Sequence, residues 1–262
     1  MIAAPLLALG LALGGAPHGC ALPPLPEGPH PWRTGETLVL DLDLLGVVKA
    51  GTVELAVERP MSGGKIVPLR ARARTSANVG SLKRLVAVGL SWVDARSLRP
   101  ERYRDESDED GLHRMTDTRF PRGPGRIAMT WQTGTRKGER SIEAAVPAEA
   151  LDAVSALYRL RAARLAPGDR FCFEAIGKGR LWRVEGSVAR ETEEVETAAG
   201  TFETLRLDAV AVRTDRTDVP AMPIHLWLGN DARRILVAAM TELDIGPARA
   251  MLSAVRGAAE PR

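Results

Sequence analysis

Aromatic residues, cysteine and histidine are all scarce in this chain of 262 residues. Aromatic side chains make up 4% of it, and it holds two cysteines and four histidines. So few cysteines cannot build the dense disulfide framework that stabilises small secreted domains. No histidine has a second ligand at the spacing of a metal site, so the sequence predicts no metal centre of that kind.

The chain also lacks an excess of charge of either sign. It has 36 Lys+Arg against 33 Asp+Glu, with a formal net charge of +3. The two signs alternate and no basic block is interleaved with aromatic residues, so no nucleic-acid partner is expected. Neither a nucleophile elbow nor a phosphate-binding glycine loop is present. We therefore expect a protein that is not an enzyme, with no catalytic residues and no cofactor.

The N-terminal segment "MIAAPLLALGLALGGAPHG" contains no charged residue. Its apolar core is too short to span a bilayer and it ends in small residues, so residues 1–21 are predicted to be a signal peptide. Cys20 stands where a lipoprotein carries its lipid, which would attach the exported protein to the outer membrane. Cleavage after Ala21 would instead remove Cys20 and release the protein into the periplasm. Both outcomes stay open.

Behind this segment the sequence predicts a linker, one domain and a short tail. Residues 22–31, "LPPLPEGPHP", hold five prolines and are typical of an extended linker. Residues 32–256 are predicted to form a single domain, because all-β units of this length are often single domains. Residues 257–262 remain as the tail.

Alternation of apolar and polar residues dominates the predicted domain. In "ETLVLDLDLL", Leu38, Leu40, Leu42 and Leu44 share one face of a strand. Similar segments follow at short spacing, and one helix is predicted over residues 148–164. Many strands around one helix predict a mainly β fold. We expect an antiparallel barrel, half-barrel or strongly curved sheet with one main α-helix packed against it.

The segment "IHLWLGNDARRILVAAM" (residues 224–240) places His, Trp, Asn, Asp and Arg between two apolar runs. An active-site loop would require His225 and Asp231 to converge, but strand alternation places them across a turn. Gly, Asn and Asp tolerate the backbone angles of tight turns. The sequence therefore predicts a β-hairpin here rather than a catalytic site.

The densest run of charge is "DESDEDG" (residues 105–111). Its spacing approximates a calcium-binding loop, with Glu106, Asp108, Asp110 and Asp117 as the candidate ligands. The first and last ligand types depart from that motif, and the flanking segments look like strands rather than helices. A solvated hairpin tip is the favoured interpretation, and calcium binding is its alternative.

A family resemblance rests on five segments taken in order. They are "GETLVLDLDLLGVVKAG" (35–51), "ARTSANVGSLKRLVAVGLSWVDARSLRP" (73–100), "LDAVSALYRLR" (151–161), "ETAAGTFETLRL" (196–207) and "IHLWLGNDARRILVAAM…IGPARAML" (224–252). In this order they resemble the DUF3108 family of exported proteins of unknown function. The resemblance implies a β-rich domain in the cell envelope and supplies no catalytic residues. Leu236 stands where a proline commonly follows the turn, a departure that affects the expected hairpin geometry.

Trp92 and Trp227 each lie in a predicted strand and are the candidate ligand-binding residues. Inside a barrel they would line an apolar cavity, although core packing is the alternative. Two functions are therefore expected. The first is an envelope protein that carries an apolar or amphipathic ligand such as a lipid, and the second is an envelope module with a filled core that docks onto protein partners. An apolar cavity of roughly a few hundred Å³ would favour the first.

Overall fold

The structure, a computed structural model, describes residues 21–44, 48–76, 84–123, 125–146, 149–243 and 246–257. The predicted signal peptide and the predicted tail lie outside these residues, apart from Ala21 and Gly257. The lipidation candidate Cys20 also lies outside them.

Fifteen strands of the described residues form a single sheet. In chain order they are β1 (Thr37–Leu44), β2 (Val48–Val57), β3 (Ile66–Thr75), β4 (Leu85–Asp94), β5 (Pro100–Glu109), β6 (Leu112–Arg119), β7 (Ile127–Thr133), β8 (Arg136–Ile142), β9 (Leu151–Asp152), β10 (Arg170–Gly177), β11 (Arg180–Thr197), β12 (Gly200–Arg213), β13 (Met222–Gly229), β14 (Leu236–Leu243) and β15 (Gly246–Arg256). Helix α1 spans Ala153–Ala162, and a short 3-10 turn spans Ser62–Gly64.

Strands that are neighbours in the chain are neighbours in the sheet. The order is β8-β7-β6-β5-β4-β3-β2-β1-β15-β14-β13-β12-β11-β10-β9. All pairs are antiparallel except β9 with β10. The first and last strands pair at the centre, so β8 and β9 form the two edges of an unclosed sheet. A sheet this wide twists and curls. The prediction of a mainly β, strongly curved sheet with one main helix is confirmed.

Alternation along β1 separates the two faces of the sheet. Leu38 and Leu40 are fully buried in a cluster that includes residues of α1, whereas Asp41 on the opposite side is partly exposed. We call the side that carries α1 the inner face and the other side the outer face. At the far end of the predicted leucine row, Leu42 and Leu44 are only partly buried.

Helix α1 is shorter than the predicted span of residues 148–164. It begins directly after Asp152, whose carboxylate accepts hydrogen bonds from the backbone N–H groups of Val154 and Ser155. The two residues before the helix pair with β10 as strand β9 instead of extending the helix. Within the described residues, no helix combines the length and the apolar composition needed to cross a membrane.

The proline-rich segment 22–31 packs along the domain instead of leading away from it. The carbonyl oxygen of Pro24 accepts a hydrogen bond from the backbone N–H of Arg164, and His30 Nε2 lies 2.8 Å from the carbonyl oxygen of Ala95. Two leucines of the segment pack against the core clusters. Burial of these leucines holds the segment on the domain.

Candidate functional site on the inner face

Helix α1 fills the inner face where the two halves of the sheet approach each other. Val154 and Tyr158 belong to a buried cluster that also holds residues of β2, β3, β4, β5, β7, β10 and β11. Ala156 and Leu160 belong to a second cluster, built largely from β1, β2 and β10–β15. The helix is therefore buried on both sides, and this part of the interior is filled.

The N-terminus of α1 is fixed to the sheet through a buried carboxylate. Ser91 on β4 donates a hydrogen bond of 2.6 Å to Asp152 Oδ2, and the Ser155 hydroxyl lies 2.9 Å from the same oxygen. Burial raises the pKa of Asp152 to about 6, even though these hydrogen bonds act to lower it. Burial and the nearby Asp152 charge also raise the pKa of Tyr103. Asp152 thus caps the helix and joins it to β4.

The C-terminal part of α1 carries a buried arginine. Arg161 is 0% exposed and forms an ion pair of 2.8 Å with Glu36, which is 2% exposed. Its Nε donates to the carbonyl oxygen of Arg234 at 2.9 Å, and a terminal nitrogen lies 3.4 Å from the carbonyl oxygen of Arg233. The guanidinium also lies over the ring of Trp32, 5.2 Å from its centroid. Arg161 therefore joins the helix, the segment before β1 and the β13–β14 turn.

The segment of residues 224–240 forms a structural β-hairpin whose turn binds the helix through Arg161. β13 and β14 pair antiparallel, as the hairpin prediction requires. Asp231 Oδ1 accepts hydrogen bonds from the backbone N–H groups of Arg233 and Arg234 within the turn. His225 lies on β13 and pairs with Met240, so it does not meet Asp231.

Beyond the helix, the inner face carries mostly small apolar side chains. They are Ala87 on β4, Ala73 on β3, Val53 on β2, Leu42 on β1, Ala250 on β15, Ala239 on β14 and Leu226 on β13. All of them are partly exposed, and we call them the apolar strip. Alanine at four of these positions leaves space on a curved apolar surface. The strip is therefore the candidate binding surface.

Two pockets lie elsewhere on the domain. An open groove of about 460 Å³ runs beside β10 and β11 and is lined by polar groups that include Arg170 and Glu185. A cleft of about 60 Å³ is lined by Leu22, Ala150 and Phe173 among others. Neither pocket is the enclosed apolar cavity that a barrel-type carrier would have.

Both candidate tryptophans lie on the outer face. Trp92 follows the inward-facing Ser91, and the guanidinium of Arg102 lies 5.0 Å from its ring centroid. Trp227 donates its indole N–H to Glu193 at 2.7 Å. Strand alternation therefore directs both indoles away from α1, and neither belongs to the apolar strip.

A carboxylate–histidine pair on the outer face lacks the arrangement of a hydrolase. His225 Nδ1 lies 2.6 Å from Asp208 Oδ1, and Arg206 donates to the other oxygen of that carboxylate at 3.0 Å. The serine nearest in register, Ser187, pairs with Asp208 on the side opposite to the histidine. Nucleophilic catalysis requires the imidazole to lie between the serine and the carboxylate. The order here is serine, carboxylate, imidazole, so the group cannot activate Ser187.

The candidate calcium ligands have separate protein partners. Asp108 accepts a hydrogen bond from the backbone N–H of the glycine in its turn, and Asp110 accepts one from a backbone N–H just before β4. Asp117 pairs with Arg102, and Glu106 lies near a histidine. No cluster of three or more potential metal ligands occurs in the part of the chain that the structure describes.

Cys172 on β10 is part of a disulfide. A disulfide requires a second cysteine, and the sequence offers only Cys20, which lies outside the described residues. Within those residues, the backbone N–H of Cys172 donates to the carbonyl oxygen of Ala21 at 3.0 Å. Lipidation would consume the sulfur of Cys20, and cleavage after Ala21 would remove it. An intrachain disulfide between the two cysteines is therefore incompatible with either processing event.

We expect the purified mature protein to expose no reactive thiol before reduction and two after it, since the sequence has two cysteines. Alkylation with and without reductant, followed by intact-mass measurement, checks this. A chain cleaved after Ala21 would show a single thiol in both samples. A lipoprotein would show a single thiol and the additional mass of its lipid, and either result would contradict an intrachain disulfide.

Sequence reasoning missed the residues that shape the inner face. Asp152, followed three residues later by Ser155, is a helix-capping signal that could have placed the start of α1. The alternating alanines of "RARART" indicate small side chains on one face. No sequence pattern near Glu36 or Arg161 indicates that these two residues form an ion pair.

The family comparison agrees with the segments quoted above. The model of the family described as "Protein of unknown function (DUF3108)" matches residues 40–253. No curated protein matches the chain.

A similar solved structure supports the fold. A β-barrel-like DUF1849 protein from Brucella abortus has a TM-score of 0.56 at 10% identity, covering 90% of this chain and 98% of that one. A protein from Bacteroides fragilis, provisionally described as exported and with a YmcC-like fold, has a TM-score of 0.34 at 9% identity, with coverages of 90% and 100%. A provisional lipoprotein from Parabacteroides distasonis has a TM-score of 0.37 at 9% identity, with coverages of 91% and 100%.

Proposed function

Because this chain belongs to the DUF3108 family, whose function is unknown, we propose its role from its own geometry. The protein is a non-enzymatic component of the cell envelope that holds an apolar or amphipathic ligand, such as a lipid chain, on the apolar strip. The observation that carries this proposal is a row of small, partly exposed apolar side chains on the inner face beyond α1.

The size of α1 supports this role. The inner face of a sheet that is apolar on one side needs a cover. A helix of 10 residues is about 15 Å long, whereas each strand adds about 4.8 Å to the width of a sheet. The helix therefore covers the width of about three strands, while the apolar strip crosses seven. Each methylene group that a ligand buries there contributes about 0.8 kcal/mol.

Two features support a location in the periplasm or at the outer membrane. The uncharged apolar N-terminal segment is typical of an export signal. The disulfide at Cys172 fits an oxidising compartment, because cytosolic thiols are usually kept reduced.

Delipidated protein is expected to bind a hydrophobic fluorophore saturably, with a stoichiometry near one. Ala239→Trp is expected to weaken this binding by about tenfold or more, because the indole would occupy space on the apolar strip. Fluorescence titration measures the effect, and circular dichroism establishes that the variant is folded.

Two control variants test the same chemistry on the outer face. Val212 is 44% exposed there, so Val212→Trp adds an indole outside the apolar strip and should leave binding unchanged. Trp92→Ala should also bind as the wild type does. Absence of saturable binding by the wild type, or undiminished binding by folded Ala239→Trp, would refute the carrier proposal.

The outer face favours one alternative, an envelope module that docks onto protein partners. Val210 and Val212 are 43% and 44% exposed, and they share this face with Trp227. If the titration shows no saturable binding, cross-linking in the cell envelope tests the alternative. Val212→Lys should then abolish the cross-linked product.

A further inference from the structure

The two ends of the unclosed sheet meet at a contact that we call the seam. The turn between β10 and β11 packs onto the inner face of β6–β8. A side chain at Gly179 would bring its Cβ to 3.1 Å from Thr116 and 3.4 Å from Met129, so the two ends are in close contact. The backbone of Gly179 also has a positive φ of 63°, which favours glycine in this turn.

Three arginines point to the seam from both ends of the sheet. Arg140 on β8 pairs with the buried Met129 and therefore lies on the inner face. Arg213 on β12 pairs with Trp182 on β11, and Arg180 lies two residues before that tryptophan, so these side chains share a face as well. Arg140 lies beside the turn that precedes Arg180, because a Cβ at Gly179 would lie 3.8 Å from Arg140 Nη2. The charges of Arg180 and Arg213 also act on Arg140.

Asp215 is the carboxylate that lies beside the three arginines. Asp215 forms two hydrogen bonds with Arg213, of 2.9 and 2.7 Å. Within the described ranges, neither Arg140 nor Arg180 forms an ion pair with a carboxylate, and the buried Nε of Arg140 has no hydrogen-bond partner. Burial and the neighbouring Arg180 lower the pKa of Arg140. The three arginines carry three positive charges, and Asp215 supplies one negative charge, so N–H donors of Arg140 and Arg180 remain without a carboxylate partner.

We propose that Arg140, Arg180 and Arg213 bind a phosphate group that bridges the two ends of the sheet. Guanidinium groups donate paired hydrogen bonds to tetrahedral oxyanions, and a dianion would offset the excess positive charge. The phosphate could be a free phosphate ion or the headgroup of an anionic lipid, which present the same chemistry to the arginines. This proposal does not depend on ligand binding at the apolar strip.

Thermal unfolding in inorganic phosphate and in chloride, at equal ionic strength, tests the site. Phosphate should stabilise the wild type because it binds the folded state. Arg140→Gln should weaken phosphate binding by about tenfold or more. In chloride the same variant should be at least as stable as the wild type, because it removes repulsion between like charges. Arg136→Gln, at an exposed position of the same strand, should respond to phosphate as the wild type does.

Vesicles distinguish the two sources of phosphate. Co-sedimentation with phosphatidic acid vesicles, but not with pure phosphatidylcholine vesicles, and its loss in Arg140→Gln would identify a lipid headgroup. Stabilisation by inorganic phosphate without vesicle binding would identify a soluble phosphate. Equal effects of phosphate and chloride on the wild type, or an undiminished phosphate effect in Arg140→Gln, would overturn the proposal.

Discussion

Replacing Glu36 with glutamine is expected to lower the free energy of unfolding by about 3–5 kcal/mol, which is typical when one partner of a buried ion pair is removed. Arg161 is 0% exposed and Glu36 is 2% exposed, so water cannot readily solvate the arginine once its partner is neutral. The substitution preserves the shape of the side chain. The expected loss therefore comes from an uncompensated buried charge rather than from a cavity.

Chemical denaturation with urea measures this loss, and the midpoint of thermal unfolding should fall by roughly 10 °C. The matched control is Glu101→Gln, because Glu101 pairs with Arg122 at the surface. Exposed ion pairs contribute about 0–1 kcal/mol, so this variant should remain close to the wild type. If both variants were equally stable, Glu36 would not be the group that compensates Arg161.

Much of the sheet was predictable because a strand produces a local sequence pattern, the alternation of apolar and polar residues. The alternation in "ETLVLDLDLL" placed Leu38 and Leu40 on the inner face, and both are buried. The turn residues of the segment 224–240 likewise predicted the β13–β14 hairpin. These features depend on local geometry, in which side chains alternate between two faces and turns require particular backbone angles.

The contacts that organise the interior depend on residues far apart in the chain. Arg161 and Glu36 are separated by 125 positions, and Ser91 and Asp152 by 61. Alternation shows that Trp227 lies opposite Leu226 on its strand, but it does not show which face the sheet curls around. That choice follows from the fit of the whole sheet around α1. For the same reason, the packing of residues 22–31 along the domain has no signal in their composition.

The contribution of Asp152 to the stability of the domain is expected to rise as the pH falls from 7.5 to 4, because this carboxylate is buried. Burial raises the pKa of Asp152 from 3.8 to about 6. The folded state therefore holds the proton more tightly than the unfolded state. The stabilising effect is fully present below pH 3.8 and is lost as the pH rises through about 6. With about 1.36 kcal/mol for each unit of pKa, the expected contribution is about 3 kcal/mol.

Comparison with Asp152→Asn isolates this contribution from other titrating groups. The amide of asparagine can still accept the hydrogen bonds from Val154 and Ser155, but it does not titrate in this range. Asp105, whose pKa burial also raises, contributes to both proteins and cancels in the comparison. The wild type should therefore gain about 2.4 kcal/mol more than the variant when urea denaturation is compared at pH 7.5 and pH 4, and the full contribution of about 3 kcal/mol only at lower pH.

Asp94→Asn provides a control in which the pH dependence of stability should change in the opposite direction. Burial acts to raise the pKa of Asp94, but hydrogen bonds from Ser97 and Arg96 outweigh it and lower the pKa overall. Asp94 therefore stabilises the fold above its unfolded pKa, and this effect is lost as the pH falls through its lower folded pKa. Removing Asp94 should make the gain of stability on acidification larger, whereas removing Asp152 should make it smaller. Equal pH profiles for the wild type and Asp152→Asn would show that the carboxylate capping α1 does not take up its proton in this range.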